Sequence, residues 1–166
     1  MNRKFVIRIL NGLGIMIVLV VMVVMIPLTV PKLFGYEIYG ILSNSMEPEI
    51  MTGSIVYVEQ VNADEIQVND VITYKMNSDS DVVATHRVVS IEDDAFITKG
   101  DHNKSVDAQP VGFNRLLGRV VLSIPFLGSL SLFTQSSVGL ACIIIGFSFA
   151  IFCWIFADYL KNKRVS

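Results

Sequence analysis

One short segment, Ser43-Asn44-Ser45-Met46-Glu47-Pro48, combines two hydroxyls with a proline that restricts Glu47 to an extended shape. A serine becomes a nucleophile only with a base beside it, and histidine is the usual one. The chain has two histidines, His86 and His102. His86 stands in Thr85-His86-Arg87-Val88, among apolar strand formers. A histidine base needs a carboxylate to fix its tautomer and steady the imidazolium. Lys99-Gly100-Asp101-His102-Asn103-Lys104-Ser105-Val106-Asp107 offers two, Asp101 and Asp107, on a turn-rich loop. Each segment also has a plain structural reading: a polar turn, a strand histidine, and a solvated charged loop.

Other chemistries fit less well. His86, His102, Asp101 and Asp107 carry metal-ligand atom types, but no H-x-x-x-H or C-x-x-C spacing accompanies them, so no metal is expected. Glu92-Asp93-Asp94 lacks calcium-loop spacing and suits a hairpin tip. The two cysteines, Cys142 and Cys153, lie in an apolar stretch, so the middle of the chain has neither a disulfide nor a thiol nucleophile.

The elements that must position these residues follow from the charge pattern. Of 166 residues, 52% are apolar and 17% charged, with a mean hydropathy of +0.58. This excludes a disordered or collagen-like chain and a typical cytosolic enzyme. Residues 9–31 and 120–157 carry no charge. Residues 32–119 hold 14 of the 15 acidic and 7 of the 13 basic residues, a net charge of −7. An acidic middle argues against nucleic acid as a partner.

The 23 uncharged residues between Arg8 and Lys32 would reach about 35 Å as a helix, enough to cross a ~30 Å hydrocarbon core. Pro27 and Pro31 mark where that helix can stop. A cleavable signal peptide is disfavoured, because the run exceeds the usual ~7–15 residues and no A-x-A site follows. The second run, of 38 uncharged residues, is too long for one span. Pro125, Gly128 and Thr134-Gln135-Ser136-Ser137 divide it into a buried strand at Val120–Ile124 and a span over 138–157. Phe126–Phe133 is expected along the membrane interface or in the core.

Arg3, Lys4 and Arg8 precede the first span, and Lys161, Lys163 and Arg164 follow the second. Short basic flanks belong in the cytoplasm. The expected organisation is a cytoplasmic N-terminus (1–8), a first transmembrane helix (9–31), an extracytoplasmic domain (32–137), a second helix (138–157) and a cytoplasmic tail (158–166). Within the middle, runs at 36–41, 54–58, 70–74, 82–84, 86–89 and 95–98 are rich in Val, Ile, Thr and Tyr and separated by Asn, Asp, Gly and Ser. The fold class is mainly β: a compact antiparallel sheet or barrel, membrane-anchored between two transmembrane helices.

S-x-S-M-x-P, then T-H-R-V about forty residues on, then K-G-D-x-N-x-x-V-D, in a membrane-anchored β domain, resembles type I signal peptidase. Histidine rather than lysine in the base position is similar to the endoplasmic-reticulum-type branch, and the second span to its SipW-like Gram-positive members. The resemblance implies Ser45 as nucleophile, His86 as general base and Asp107 as the carboxylate that orients it. Asp101 matches a second required acid, and which of the two touches His86 stays open. Ser43 matches a hydroxyl that joins the Ser45 N–H in the oxyanion hole. Asn44, Ser54 and His102 depart from the family's usual glycine, aspartate and asparagine. Ile38, Ile41 and Met46 are candidate substrate-pocket residues.

The implied function is that of a serine endopeptidase with no cofactor. It would cut signal peptides after small residues at the outer surface of the plasma membrane. Its implied partners are secretory pre-proteins, the lipid bilayer and the protein translocation machinery. A neutral base is required, so activity should fall as the imidazole protonates. Two rival readings are a non-catalytic membrane-anchored β module that binds a partner, and a membrane serine protease for another substrate.

Overall fold

The computed structural model describes residues 3–78 and 81–163. Arg164, one of the basic flank residues, lies outside the described residues, and the expected cytoplasmic ends are described only in part. In chain order the elements are α1 (Arg3–Leu33), β1 (Tyr36–Gly40), β2 (Ile55–Glu59), β3 (Val71–Lys75), β4 (Val83–Glu92), β5 (Ala95–Lys99), β6 (Val111–Gly112), β7 (Leu116–Ile124), α2 (Leu127–Gln135) and α3 (Ser137–Asn162). They divide into two compact units, one of Met1–Leu28 with Ser131–Ser166, the other of Thr29–Leu130.

The first unit is helical. α1 and α3 are both long and apolar enough to cross a membrane. α1 does not stop at its prolines. Pro27 and Pro31 lie within it, and it ends where Phe34 and Gly35 N–H donate to the Pro31 and Lys32 carbonyls, with Gly35 at φ 85°. A left-handed residue terminates a helix, and glycine adopts that conformation without steric cost. The polar cluster before α3 does break the chain as expected. The Ser136 oxygen accepts from Gly139 N–H at 3.1 Å and its hydroxyl donates to the Phe133 carbonyl at 2.7 Å, an N-cap for α3. The two helices approach at a glycine: a Cβ added to Gly14 of α1 would lie 2.4 Å from Nε1 of Trp154 in α3.

The second unit is an antiparallel sheet ordered β1-β2-β7-β3-β4-β5-β6. It has β1 and β6 as edges, so the alternative of a closed barrel is not realised. The expected strands at 82–84 and 86–89 are one, β4. Glu92-Asp93-Asp94 forms the tip of the β4–β5 hairpin, with Asp93 at φ 48°. Two expectations are corrected. Val120–Ile124 is not fully buried: it is the end of β7, with Val121 and Leu122 exposed. Val121 is the extra residue of a bulge where Tyr57 pairs with Leu122 and Val58 with Val120. Of the two places expected for Phe126–Phe133, membrane interface or core, the core is the one overturned: Phe126 is 80% exposed and Leu132 and Phe133 are exposed as well.

Side chains alternate between the two faces of a sheet, and each face carries its own core. Ile72, Tyr74, Val88 and Phe96 pack with Ile66 and Val111 on one face. Val56 and Val58 pack with Ile41, Met46 and Ile50 on the other. The register puts His86 opposite Ile72, and Thr98 opposite Val88. His86 and Thr98 therefore share the first face, and Arg87 lies on the second.

Candidate active site

Ser45 stands in a turn just beyond β1. The turn is closed by Glu47 N–H to the Asn44 carbonyl and by Ile50 N–H to the Met46 carbonyl, and the Glu47–Pro48 bond is cis. Met46 is 1% exposed and roots this turn in the second core, so it offers no surface to a ligand; Ile41 is buried beside it. Of the three candidate pocket residues only Ile38, half-buried on the edge strand β1, remains within reach of solvent.

Three side chains from distant parts of the chain meet here. Oγ of Ser45 lies 3.1 Å from Nε2 of His86, and Nδ1 of His86 lies 2.6 Å from Oδ2 of Asp107. Oγ of Ser43 lies 3.2 Å from Oγ of Ser45. In this arrangement Nδ1–H donates to the carboxylate and leaves the Nε2 lone pair facing the serine hydroxyl, the tautomer a base needs.

Asp101 is elsewhere. It takes a two-pronged pair from Arg87, Nε to Oδ1 at 2.8 Å and Nη2 to Oδ2 at 2.7 Å, while Nη1 of Arg87 donates to the Asn69 carbonyl at 2.9 Å. The Asp101 hydrogen bonds hold the Arg87 guanidinium above its ordinary range, against partial burial. The strand period explains the division: successive residues of β4 face opposite sides, so the His86 and Arg87 side chains cannot share one acid. The sequence left both aspartates open as partners of His86. The geometry pairs Asp107 with His86 and Asp101 with Arg87.

The loop between them also shapes the serine turn. His102 donates its backbone N–H to the Ser45 carbonyl at 2.9 Å, a contact that a side chain other than the family's asparagine does not disturb. A Cβ at Gly100 would lie 2.6 Å from the same carbonyl oxygen, so this close approach requires glycine. Glu47 accepts from the Thr52 hydroxyl at 2.8 Å and from the Thr52 N–H at 3.2 Å, and these bonds, with a smaller contribution from His102, lower its pKa.

Two residues of the site were not singled out from the sequence. Thr98, fully buried, donates to Oδ2 of Asp107 at 2.7 Å. Tyr74 presents its hydroxyl 3.4 Å from the same oxygen, with its ring edge-on to the imidazole at a centroid distance of 6.4 Å. Burial, more than the Asp107 charge, pushes the Tyr74 phenol up from its ordinary range. Their signal was present: in Phe96-Ile97-Thr98 the threonine takes the same face as a core phenylalanine, and a hydroxyl buried there requires a partner.

Comparison with known proteins bears on this site. Residues 12–121 match the family described as "Signal peptidase, peptidase S26". Signal peptidase I W of Bacillus subtilis is 42% identical over 86 residues, 49% of this chain and 44% of that protein. The signal peptidase complex catalytic subunit SEC11 of Fusarium vanettenii is 28% identical over 118 residues, 64% of this chain and 68% of that protein. Human SEC11C is 31% identical over 72 residues, 40% of this chain and 37% of that protein. The match thus spans less than half the length of the Bacillus and human relatives. The family match covers most of the chain and includes Ser45, His86, Asp101 and Asp107. The chain belongs to the signal peptidase S26 family, on its endoplasmic-reticulum-type, SipW-like branch.

Proposed function

We propose that this protein is a serine endopeptidase that cleaves N-terminal signal peptides from secretory pre-proteins. The observation that carries the reading is the unbroken series Ser45 Oγ, His86 Nε2, His86 Nδ1, Asp107 Oδ2, at 3.1 and 2.6 Å. His86 takes the Ser45 proton as the hydroxyl attacks the scissile carbonyl. The developing imidazolium is held by Asp107. The Ser43 hydroxyl and the Ser45 N–H are the donors this reading assigns to the oxyanion. His86 returns the proton to the leaving amine, and water, activated by the same base, releases the acyl group.

The substrate arrives as an extended strand, and β1 suits it. β1 pairs with β2 on one side only, is an edge of the sheet, and leads into Ser45 within five residues of Gly40. An edge strand binds a peptide through its backbone, which reads little beyond the shape of small residues. The two apolar helices anchor the domain by this reading, with 1–8 and 158–166 in the cytoplasm and residues 32–137 outside the plasma membrane. Ser45 lies thirteen residues past Lys32, which by this reading keeps the nucleophile on the side where a signal peptide leaves the bilayer. The bilayer and the translocation machinery that delivers pre-proteins are the partners this reading requires. The SEC11 relatives bear the name of catalytic subunits of a complex, so accessory subunits belong to the proposal.

The test places the full chain in membranes with a labelled pre-protein carrying an A-x-A site. Wild type is expected to release the mature product, and Ser45→Ala and His86→Ala to fall by about 10⁶-fold. Equal cleavage by all three would remove the catalytic reading and leave the binding-module alternative.

A further inference from the structure

Asp107 sits in a loop, where a carboxylate is free to rotate, yet the imidazole needs one oxygen held in its ring plane. Two bonds tie the residue to β5. The Asp107 N–H donates to the Thr98 carbonyl at 2.9 Å, and the Thr98 hydroxyl donates to Oδ2 of Asp107 at 2.7 Å. The oxygen that Thr98 holds is the one that faces Nδ1 of His86 at 2.6 Å. Thr98 is itself held in place by its surroundings: it is 0% exposed, stands in the β4–β5 ladder opposite Val88, and has the Tyr74 hydroxyl 3.4 Å from its Oγ1.

We propose that Thr98 is a positioning residue of the reaction, its hydroxyl fixing which Asp107 oxygen faces His86 and in what plane. This deepens the reading given under Proposed function and rests on it. A threonine hydroxyl has one proton to give. Donating it to Oδ2 leaves the Thr98 oxygen as an acceptor, and the Tyr74 hydroxyl, itself a donor to Oδ2 of Asp107 at 3.4 Å, stands 3.4 Å from it. Phe96, two residues earlier on the same face, fills core space, whereas Thr98 at the equivalent depth carries a hydroxyl directed at the acid.

The experiment measures kcat and KM for processing of an A-x-A pre-protein by the full chain in membranes, for Thr98→Val, Thr98→Ser and Thr98→Ala beside wild type, Ser45→Ala and His86→Ala. Thr98→Val keeps the shape and removes the donor. A hydrogen bond to a charged group is worth about ten- to a hundredfold, so kcat should fall by about that factor with KM unchanged. Thr98→Ser keeps the donor and should recover kcat to within about threefold of wild type. Serine and alanine both lack the threonine methyl, so that pair isolates the hydroxyl even where valine disturbs folding: serine active and alanine slow supports the proposal. Serine and alanine slowed equally, or Thr98→Val with wild-type kcat, overturns it. Wild-type processing by Ser45→Ala would instead overturn the catalytic reading beneath it.

Discussion

Asp107 faces His86 at 2.6 Å, while Asp101, six residues earlier in the same loop, is taken up by Arg87. The two acids should therefore fail differently. Asp107→Asn preserves shape but no longer holds the imidazole as a base, and a loss of about 10⁴ in kcat is expected. Asp101→Asn removes a charge-assisted pair and leaves a partly buried guanidinium short of partners, at a cost of about 1–3 kcal/mol in stability. Its kcat should stay far above that of Asp107→Asn at temperatures where it is folded. Unfolding curves and initial rates on both variants check this, and equal kcat losses at equal stability would contradict it.

Met46 adjoins the candidate nucleophile but belongs to the core. Truncating a buried methionine costs about 2–5 kcal/mol. Met46→Ala should lower stability by that amount, measured by denaturant unfolding in detergent. It should also lower kcat through displacement of Ser45. Met46→Leu keeps the volume and should restore both, since volume-conserving swaps cost under about 1.5 kcal/mol. A change in substrate preference with unchanged stability would instead make Met46 a pocket residue.

Much of this site was legible from residue type and order. The S-x-S-M-x-P, T-H-R-V and K-G-D-x-N-x-x-V-D segments singled out Ser45, His86 and the two acids as candidates through their resemblance to type I signal peptidase, beside the plain structural reading each segment also had. The choice between Asp101 and Asp107 was not legible. It depends on which face of the sheet each loop residue returns to, and that is set by the β4–β5 register. The burial of Met46 was not legible for a similar reason: adjacency to Ser45 in sequence says nothing of direction, and a turn sends neighbouring side chains opposite ways. The two long apolar helices were legible from the absence of charge alone. The end of α1 was not, because Pro27 and Pro31 are accommodated within an apolar helix whose stop is set by Gly35.

Tyr74 gives a pH signature apart from catalysis. Its phenol is raised above the ordinary value by burial first and by Asp107 second. A group with a raised folded-state pKa contributes stability that is intact below its unfolded pKa, about 10 for tyrosine, and that is lost as pH rises through the folded value. Wild type should lose thermal stability above about pH 10 more steeply than Tyr74→Phe, which has no such proton to lose. Tyr39 and Tyr57 are raised too, so the variant should keep part of the slope. Parallel curves for the two proteins between pH 8 and 11 would argue that Tyr74 does not titrate in this way.

The membrane arrangement is open to direct measurement. Both apolar helices carry basic flanks, Arg3, Lys4 and Arg8 on one and Lys161 and Lys163 on the other, with an acidic domain between. Short basic flanks resist transfer across the membrane, and an even number of spans returns the chain to its starting side. Each probe position is a single cysteine in a chain whose Cys142 and Cys153 are replaced by alanine. Ser105→Cys, on the loop before Asp107, should react with an impermeant maleimide on intact cells. Phe5→Cys and Asn162→Cys should react only once the membrane is opened. Labelling of Asn162→Cys on intact cells would mean that the second helix does not cross. Labelling of Phe5→Cys with protection of Ser105→Cys would invert the domain and put Ser45 on the side from which signal peptides depart, where the proposed cleavage could not follow export.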